Sequence, residues 1–210
     1  MNLDQEAYRK LWDHRYANPE YAYGKSPNLF LKQQLDTLPS GNILFPAEGE
    51  GRNAVYAANR GWDVTAFDLS VSGKEKAMQL AGEYNVSINY LIGDVTELNF
   101  KEESFDVVAL IYAHFLADTK NSALKKLGTY VKKGGAIIFE AFGKGHVPWV
   151  QANPKVGGAM DEKMLFSLKE IRSAFPDFDI QLLEETEAEL KEGLYHNGTG
   201  SVVRFVGQKL

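Results

Sequence analysis

The stretch Asn42-Ile43-Leu44-Phe45-Pro46-Ala47-Glu48-Gly49-Glu50-Gly51-Arg52-Asn53-Ala54-Val55-Tyr56 carries the strongest chemical signal in the chain. It runs from an apolar segment through two glycines into a segment suited to a helix. Strand, glycine turn and helix bring backbone N–H groups and a helix N-terminus up against a ligand. Glycine suits the turn because a Cβ would block its tight path and the close approach. Two aspartates, Asp68 and Asp94, close later apolar runs. A carboxylate at the first position can accept both ribose hydroxyls of a nucleoside, and one at the second can accept from an exocyclic adenine amine. A single acidic strand end is commonly a helix cap or a solvated turn. Two in register after a glycine turn point to one shared ligand.

The elements that must position these residues follow from periodicity. Asp4 to Tyr16 reads as a helix, with Leu3, Ala7, Leu11 and His14 at helical spacing and Tyr8, Trp12 and Tyr16 on an adjacent stripe. Asn18-Pro19 ends it, and an aromatic loop, Tyr21 to Asn28, leads to a short helix over Leu29 to Leu35. From Asn42 onward strands and helices alternate. The expected strands are Ile43 to Pro46, Trp62 to Phe67, Ile88 to Ile92, Phe105 to Ile111 and Ala136 to Phe142. The expected helices between them run from about Arg52 to Arg60, Gly73 to Tyr84 and Lys120 to Tyr130. This alternation implies an α/β fold with a doubly wound parallel sheet. The nearly continuous apolar run Phe105 to Ile111 suits a strand buried on both faces. Gly143 to Gly158 reads as a long loop of the kind that forms lids. A short helix at Ser167 to Ala174 precedes two strands, Asp179 to Glu189 and Ser201 to Gln208, which can pair antiparallel at the sheet edge.

Composition narrows the function classes. The chain has 210 residues, enough for one substantial core, with 44% hydrophobic and 24% charged residues. A formal net charge of -5 argues against broad nucleic-acid binding. With no cysteine in the sequence, disulfides, thiolate nucleophiles and cysteine metal sites are all excluded. That composition suits the cytoplasm. The acidic N-terminus does not resemble a secretory signal, and no apolar run reaches membrane-spanning length. The four histidines, His14, His114, His146 and His196, form no metal-binding pair, so no metal is expected. No Gly-x-Ser-x-Gly elbow is present for a hydrolase.

Between about Asn42 and Phe142 the sequence resembles the class I S-adenosylmethionine-dependent methyltransferases. Ala47-Glu48-Gly49-Glu50-Gly51-Arg52-Asn53-Ala54-Val55 is most similar to the branch related to tellurite-resistance and thiopurine methyltransferases. Trp12-Asp13-x-Arg15-Tyr16 and Tyr23-Gly24-x-x-Pro27-Asn28 are similar to that branch as well. The resemblance implies a Rossmann-like seven-stranded sheet, mostly parallel, ending in an antiparallel strand pair. The whole chain is then expected to be one methyltransferase domain. Residues 1–41 would form an N-terminal helical cap, 42–142 the cofactor-binding core, and 143–210 the lid loop, helix and final strand pair. Carried over by position, Glu48, Gly49 and Gly51 would line the methionine moiety. Asp68 would hold the ribose, with Leu69 beside the adenine, and Asp94 and Val95 would contact the adenine. Ile111, Tyr112 and His114 would lie near the sulfonium and the acceptor. The sequence departs from the commonest pattern at Phe45, where an acidic residue is frequent, and at Ala47, the usual first glycine.

A sulfonium is cationic, and aromatic faces attract cations, which makes Trp12, Tyr16 and Tyr112 candidates. For Trp12 a plain core role is equally open. The cofactor's carboxylate needs a cation or a helix N-terminus, and Arg15 and Arg52 are candidate partners. His114 is the candidate general base, with Tyr112 beside it, should the acceptor have to lose a proton. The expected acceptor is a small molecule such as a chalcogen oxyanion, a thiol or a small metabolite. Two other readings stay open. Gly49-x-Gly51-x-x-Ala54 and Asp68 also fit a nicotinamide-dependent oxidoreductase, with Tyr21-x-x-x-Lys25 matching a catalytic pair as a string. The third reading is a catalytically silent nucleoside-binding domain.

Overall fold

The computed structural model describes residues 4–210; Leu3, placed by periodicity on the first helix, lies outside them. The central sheet contains β1 (Asn42–Pro46), β2 (Asp63–Asp68), β3 (Asn89–Ile92), β4 (Phe105–Ile111), β5 (Val131–Phe142), β6 (Phe178–Glu192) and β7 (His196–Lys209). Its seven strands are ordered β3-β2-β1-β4-β5-β7-β6. The first five are parallel, whereas β7 runs antiparallel to both β5 and β6. This is the expected α/β architecture with its antiparallel C-terminal pair. β4 lies between β1 and β5, as its apolar run requires.

Alternate residues of the central strands feed two cores. Leu44, Val108, Leu110, Phe139 and Phe205 face α5 (Lys120–Thr129) and α7 (Leu168–Ala174). Ile43, Phe45, Val107, Ala109 and Ile138 face α2 (Leu29–Leu35), α3 (Arg52–Asn59) and α4 (Val71–Glu83). Caps fix where the helices begin. Asn28 caps α2 through Leu31 N–H, and Ser70 caps α4 through Gly73 N–H. Ser167 and Glu170 form a capping box on α7.

Three expectations need correction. On α1 (Gln5–Tyr16) the buried stripe is Tyr8 and Tyr16, while Leu11 and His14 are exposed. Tyr8 donates its hydroxyl to the His114 carbonyl beyond β4 and Tyr16 lies over the Gly49 turn, which holds the aromatic stripe inward. Gly143 to Gly158 is no open loop. It folds into a 3₁₀ turn at Lys144–His146, α6 (Val147–Ala152) with Pro148 in its first turn, and a second 3₁₀ turn at Pro154–Val156. Val150 and Val156 there join Phe142, Leu165 and Val202 in a third apolar cluster. The last two strands are also longer than their apolar patterns suggested, pairing from Phe178↔Lys209 to Glu192↔His196. Their charged outer positions obscured the ends. No described helix is long and apolar enough to cross a membrane.

Candidate active site

The strand order reverses direction at β1 and β4, which opens a crevice beyond their carboxyl ends. Two non-glycine residues there take left-handed backbone conformations, Ala47 after β1 (φ 52°) and Tyr112 after β4 (φ 51°). Such strain costs about 1–3 kcal/mol per residue and gathers at functional sites. Both residues line two adjoining cavities, of about 90 Å³ and about 340 Å³. Tyr8, Trp12, Tyr16 and His114 also border both, so the two lie side by side across these residues.

The smaller cavity is walled by Asp68, Leu69, Asp94 and Val95, with Trp12 and Tyr16 across from them. Asp68 accepts from Gly49 N–H on Oδ2 at 3.0 Å and from Ser70 N–H on Oδ1 at 2.9 Å. Each oxygen keeps a second lone pair for a ligand hydroxyl. Burial raises the Asp68 carboxyl to about 6 despite these bonds. Asp94 accepts from Thr96 N–H and Oγ1–H at 2.8 and 2.6 Å, which fixes its turn.

The larger cavity is lined by Arg15, Glu48, Arg52, Ile111 and His196, and by Gly158 to Asp161 and Met164 from the segment before α7. The covering segment is therefore 158–164, later in the chain than the loop expected to act as a lid. Glu48 Oε1 accepts from Asn53 and Ala54 N–H at 2.9 and 2.8 Å, closing the N-terminus of α3 from outside the helix. Burial raises its carboxyl to about 7. Arg52 is buried and its Nη2 donates to Glu192 at 2.9 Å, so its charge is already matched by the protein. Arg15 differs: it donates to Tyr23 Oη at 2.9 Å, lies against the Trp12 and Tyr195 rings, and pairs with no described carboxylate.

The two glycines do not line either cavity. A Cβ on Gly49 (φ 65°) would sit 2.6 Å from Tyr16 Oη, and one on Gly51 (φ 85°) would sit 2.5 Å from Ala77 Cβ. Gly49 lets Tyr16 settle over the turn, and Gly51 lets α3 pack on α4. The Trp12-Asp13-x-Arg15-Tyr16 motif is explained the same way, because Asp13 accepts from Ser70 Oγ–H and Ser72 N–H and pins α1 to α4.

Among the described residues, two polar side-chain atoms are buried with no hydrogen-bond partner: Tyr112 Oη and His114 Nε2. Leaving such a group unpaired costs about 1–3 kcal/mol. His114 Nδ1 lies 3.4 Å from the Met164 carbonyl, which favours the Nδ1–H tautomer and leaves the Nε2 lone pair bare. Burial lowers this imidazole to about 4, so it is neutral at neutral pH. Tyr21 and Lys25, the oxidoreductase-like string, lie elsewhere. Tyr21 donates to the Lys76 carbonyl and Lys25 pairs with Glu83 at the surface.

Sequence reasoning missed a buried polar cluster behind the larger cavity. Glu192 joins Arg52, Asn28 and His196, and Asn28 continues to Glu140 and Arg204. Burial opposes ionisation of Glu192, but the His196 hydrogen bond and the Arg52 charge outweigh it and bring the carboxyl down to about 2. The one sequence signal was an acid and a histidine four residues apart across a glycine-containing hairpin turn.

Residues 46–139 match the methyltransferase domain family. That match spans just under half of the chain. A demethylmenaquinone methyltransferase from Renibacterium salmoninarum is 27% identical over 105 residues, covering 50% of this chain and 43% of that protein. The chain thus spans less than half the length of that curated relative. A solved structure from work on conversion of a disulfide bond into a thioacetal group in echinomycin biosynthesis superposes with a TM-score of 0.75 at 17% identity. It covers 96% of this chain and 92% of the other. TehB from Haemophilus influenzae superposes with a TM-score of 0.69 at 17% identity, covering 86% of this chain and 61% of that one. The methyl donor that such a domain implies is S-adenosylmethionine. The side chains fit it: a recess with a carboxylate at the end of β2 adjoins a wider space lined by Arg15, which pairs with no described carboxylate, by a buried glutamate and by aromatic rings.

Proposed function

We propose that the chain transfers a methyl group from S-adenosylmethionine to a small-molecule acceptor held in the larger cavity. The observation that carries this reading is the junction of the two cavities at Ala47, Tyr112 and His114, where donor and acceptor would meet. In this reading Asp68 accepts from the ribose hydroxyls, while Leu69, Asp94 and Val95 frame the adenine. Glu48 presents a carboxylate to the donor's ammonium group. Because Glu48 already closes the α3 N-terminus and Arg52 is paired, Arg15 is the cation left for the donor's carboxylate. Trp12, Tyr16 and Tyr112 turn aromatic faces to the reacting centre, beside Ile111.

When bound, the donor supplies a methyl group already activated on a cationic sulfur. The protein's task is chiefly to align the acceptor with that methyl, and holding two reactants in line can supply about 7–11 kcal/mol. Tyr112 and His114 border both cavities, and their rings shape the space in which the acceptor would lie. The narrower placing beside the tellurite-resistance and thiopurine methyltransferases rests on the similarity of the Trp12-Asp13-x-Arg15-Tyr16 and Ala47 to Val55 segments to that branch. A cytoplasmic location with no nucleic-acid or membrane partner is in keeping with the net charge of -5. An acceptor panel with S-adenosylhomocysteine formation as readout tests the reading. Turnover of a small molecule supports it. Binding of NAD(P), with no affinity for S-adenosylmethionine or S-adenosylhomocysteine, refutes it.

A further inference from the structure

His196 begins β7 and Glu192 ends β6, so the hairpin turn between them brings the two side chains together. Glu192 Oε2 lies 2.8 Å from His196 Nδ1 and accepts from Arg52 Nη2 at 2.9 Å, while Oε1 accepts from Asn28 at 3.3 Å. An ionised carboxylate only accepts, so His196 Nδ1 carries the ring's proton and Nε2 presents a lone pair. Nε2 makes no hydrogen bond to any described residue, yet it is not sealed off as Tyr112 Oη and His114 Nε2 are. His196 lines the acceptor cavity, with the Tyr112 ring 4.5 Å away and the Tyr23 ring 4.4 Å away. His146 approaches from the same side through Phe142.

The contrast with His114 decides between the two imidazoles. Burial chiefly disfavours a charge on His114, and Lys120 and two other histidines add to that, while its one hydrogen-bond partner is the Met164 carbonyl. Burial lowers His196 too, and Arg52 stands nearby, but its Nδ1 is held by the Glu192 carboxylate, against which a cation on the ring would sit. Nothing about a methyl acceptor that is already anionic calls for such a pair.

We propose that His196, oriented by Glu192, takes a proton from the acceptor, and that the acceptor is therefore a neutral hydroxyl or N–H nucleophile on a largely apolar body. This rests on the methyl-transfer reading above. The acceptor's oxygen or nitrogen forms the new bond to the methyl carbon as the carbon–sulfur bond breaks, and that electron pair stays on sulfur. The acceptor proton passes to Nε2. The positive charge thus leaves sulfur and reappears on an imidazolium facing the Glu192 carboxylate. His196 is the catalytic residue and Glu192 a positioning residue. Leu11, Phe142, Met160 and Met164 supply the apolar walls.

The test uses the full chain with S-adenosylmethionine and four probe acceptors: hydroquinone, aniline, tellurite and iodide. Turnover of hydroquinone or aniline is expected, falling ~100-fold or more in kcat for His196→Gln and by a smaller factor for Glu192→Gln. Independently, ¹⁵N-histidine NMR of the wild-type chain bound to S-adenosylhomocysteine is expected to show His196 protonated at Nδ1 and bare at Nε2. The spectrum keeps the question open to refutation even where a variant fails to fold. Methylation of tellurite or iodide but of neither hydroquinone nor aniline would overturn the proposal. So would wild-type kcat in a folded His196→Gln, or a His196 proton on Nε2. Calorimetry with S-adenosylhomocysteine separates the two levels: absent binding removes the methyl-transfer reading itself, whereas intact binding with an unaffected His196→Gln removes only this one.

Discussion

Gly51→Ala isolates the reason for the second glycine. The added Cβ meets Ala77 Cβ at 2.5 Å and Ala77 Cα at 2.8 Å, and the backbone stands at φ 85°. Two costs follow. A left-handed conformation costs a non-glycine residue about 1–2 kcal/mol. Overpacking a close helix–helix contact costs about 1–3 kcal/mol, because part of the obstruction is backbone and cannot rotate away. The sum, roughly 2–5 kcal/mol, lowers Tm by about 4–20 °C for a chain of this size. Ala77→Gly in the same molecule removes the Cβ obstacle but leaves the strained φ. Urea unfolding of the four members of the cycle should therefore show the double variant recovering part of the loss, beyond the additive sum of the single variants. If Gly51→Ala unfolds like wild type, or the double variant is simply additive, the helix-packing role assigned to Gly51 is wrong.

Three further outcomes follow from the site. Asp68 and Glu48 are raised by burial to about 6 and about 7, so each costs stability that is absent below the ordinary carboxylate range, grows as pH rises from there toward those values and is complete above them. A ligand that pairs with the ionised forms must bind more tightly over the same window; S-adenosylhomocysteine affinity by calorimetry should rise from pH 5 to pH 8, and a flat profile would contradict the assignment. Tyr112→Phe removes an unpartnered buried hydroxyl and should raise the stability of the free protein by about 1 kcal/mol, checked by thermal unfolding; a loss of stability would contradict its lack of a partner. His114→Gln should leave no imidazole inflection missing from the kcat profile near pH 6.5, since burial already holds His114 near 4; loss of a neutral inflection in that variant would restore it as the base.

The strand-and-helix frame was legible because its signals are local. Apolar runs such as Phe105 to Ile111, the Gly49–Gly51 turn and the acidic strand ends Asp68 and Asp94 each announce their place. The purpose of the glycines was not legible, because what a Cβ would strike, Tyr16 or Ala77, comes from α1 or α4. Arg15 and Arg52 looked alike in sequence. Only the fold brings Glu192, 140 positions beyond Arg52, to pair with one and not the other. The α6 segment was hidden by its Gly, Pro and Asn content, although Pro148 stands where a helix begins. His196 was passed over because its partner lies across a hairpin turn whose strands extend past their apolar cores.

The most direct measurement is titration calorimetry of S-adenosylmethionine and S-adenosylhomocysteine against the wild-type chain and Asp68→Ala. Both ligands should bind the wild type. If Asp68 holds the ribose as proposed, removing its carboxylate should weaken binding by about 1.5–3 kcal/mol, roughly ten- to hundred-fold in Kd. A wild-type chain that binds neither ligand, or a folded Asp68→Ala that binds both with unchanged affinity, would contradict the assignment of these cavities to the methyl donor.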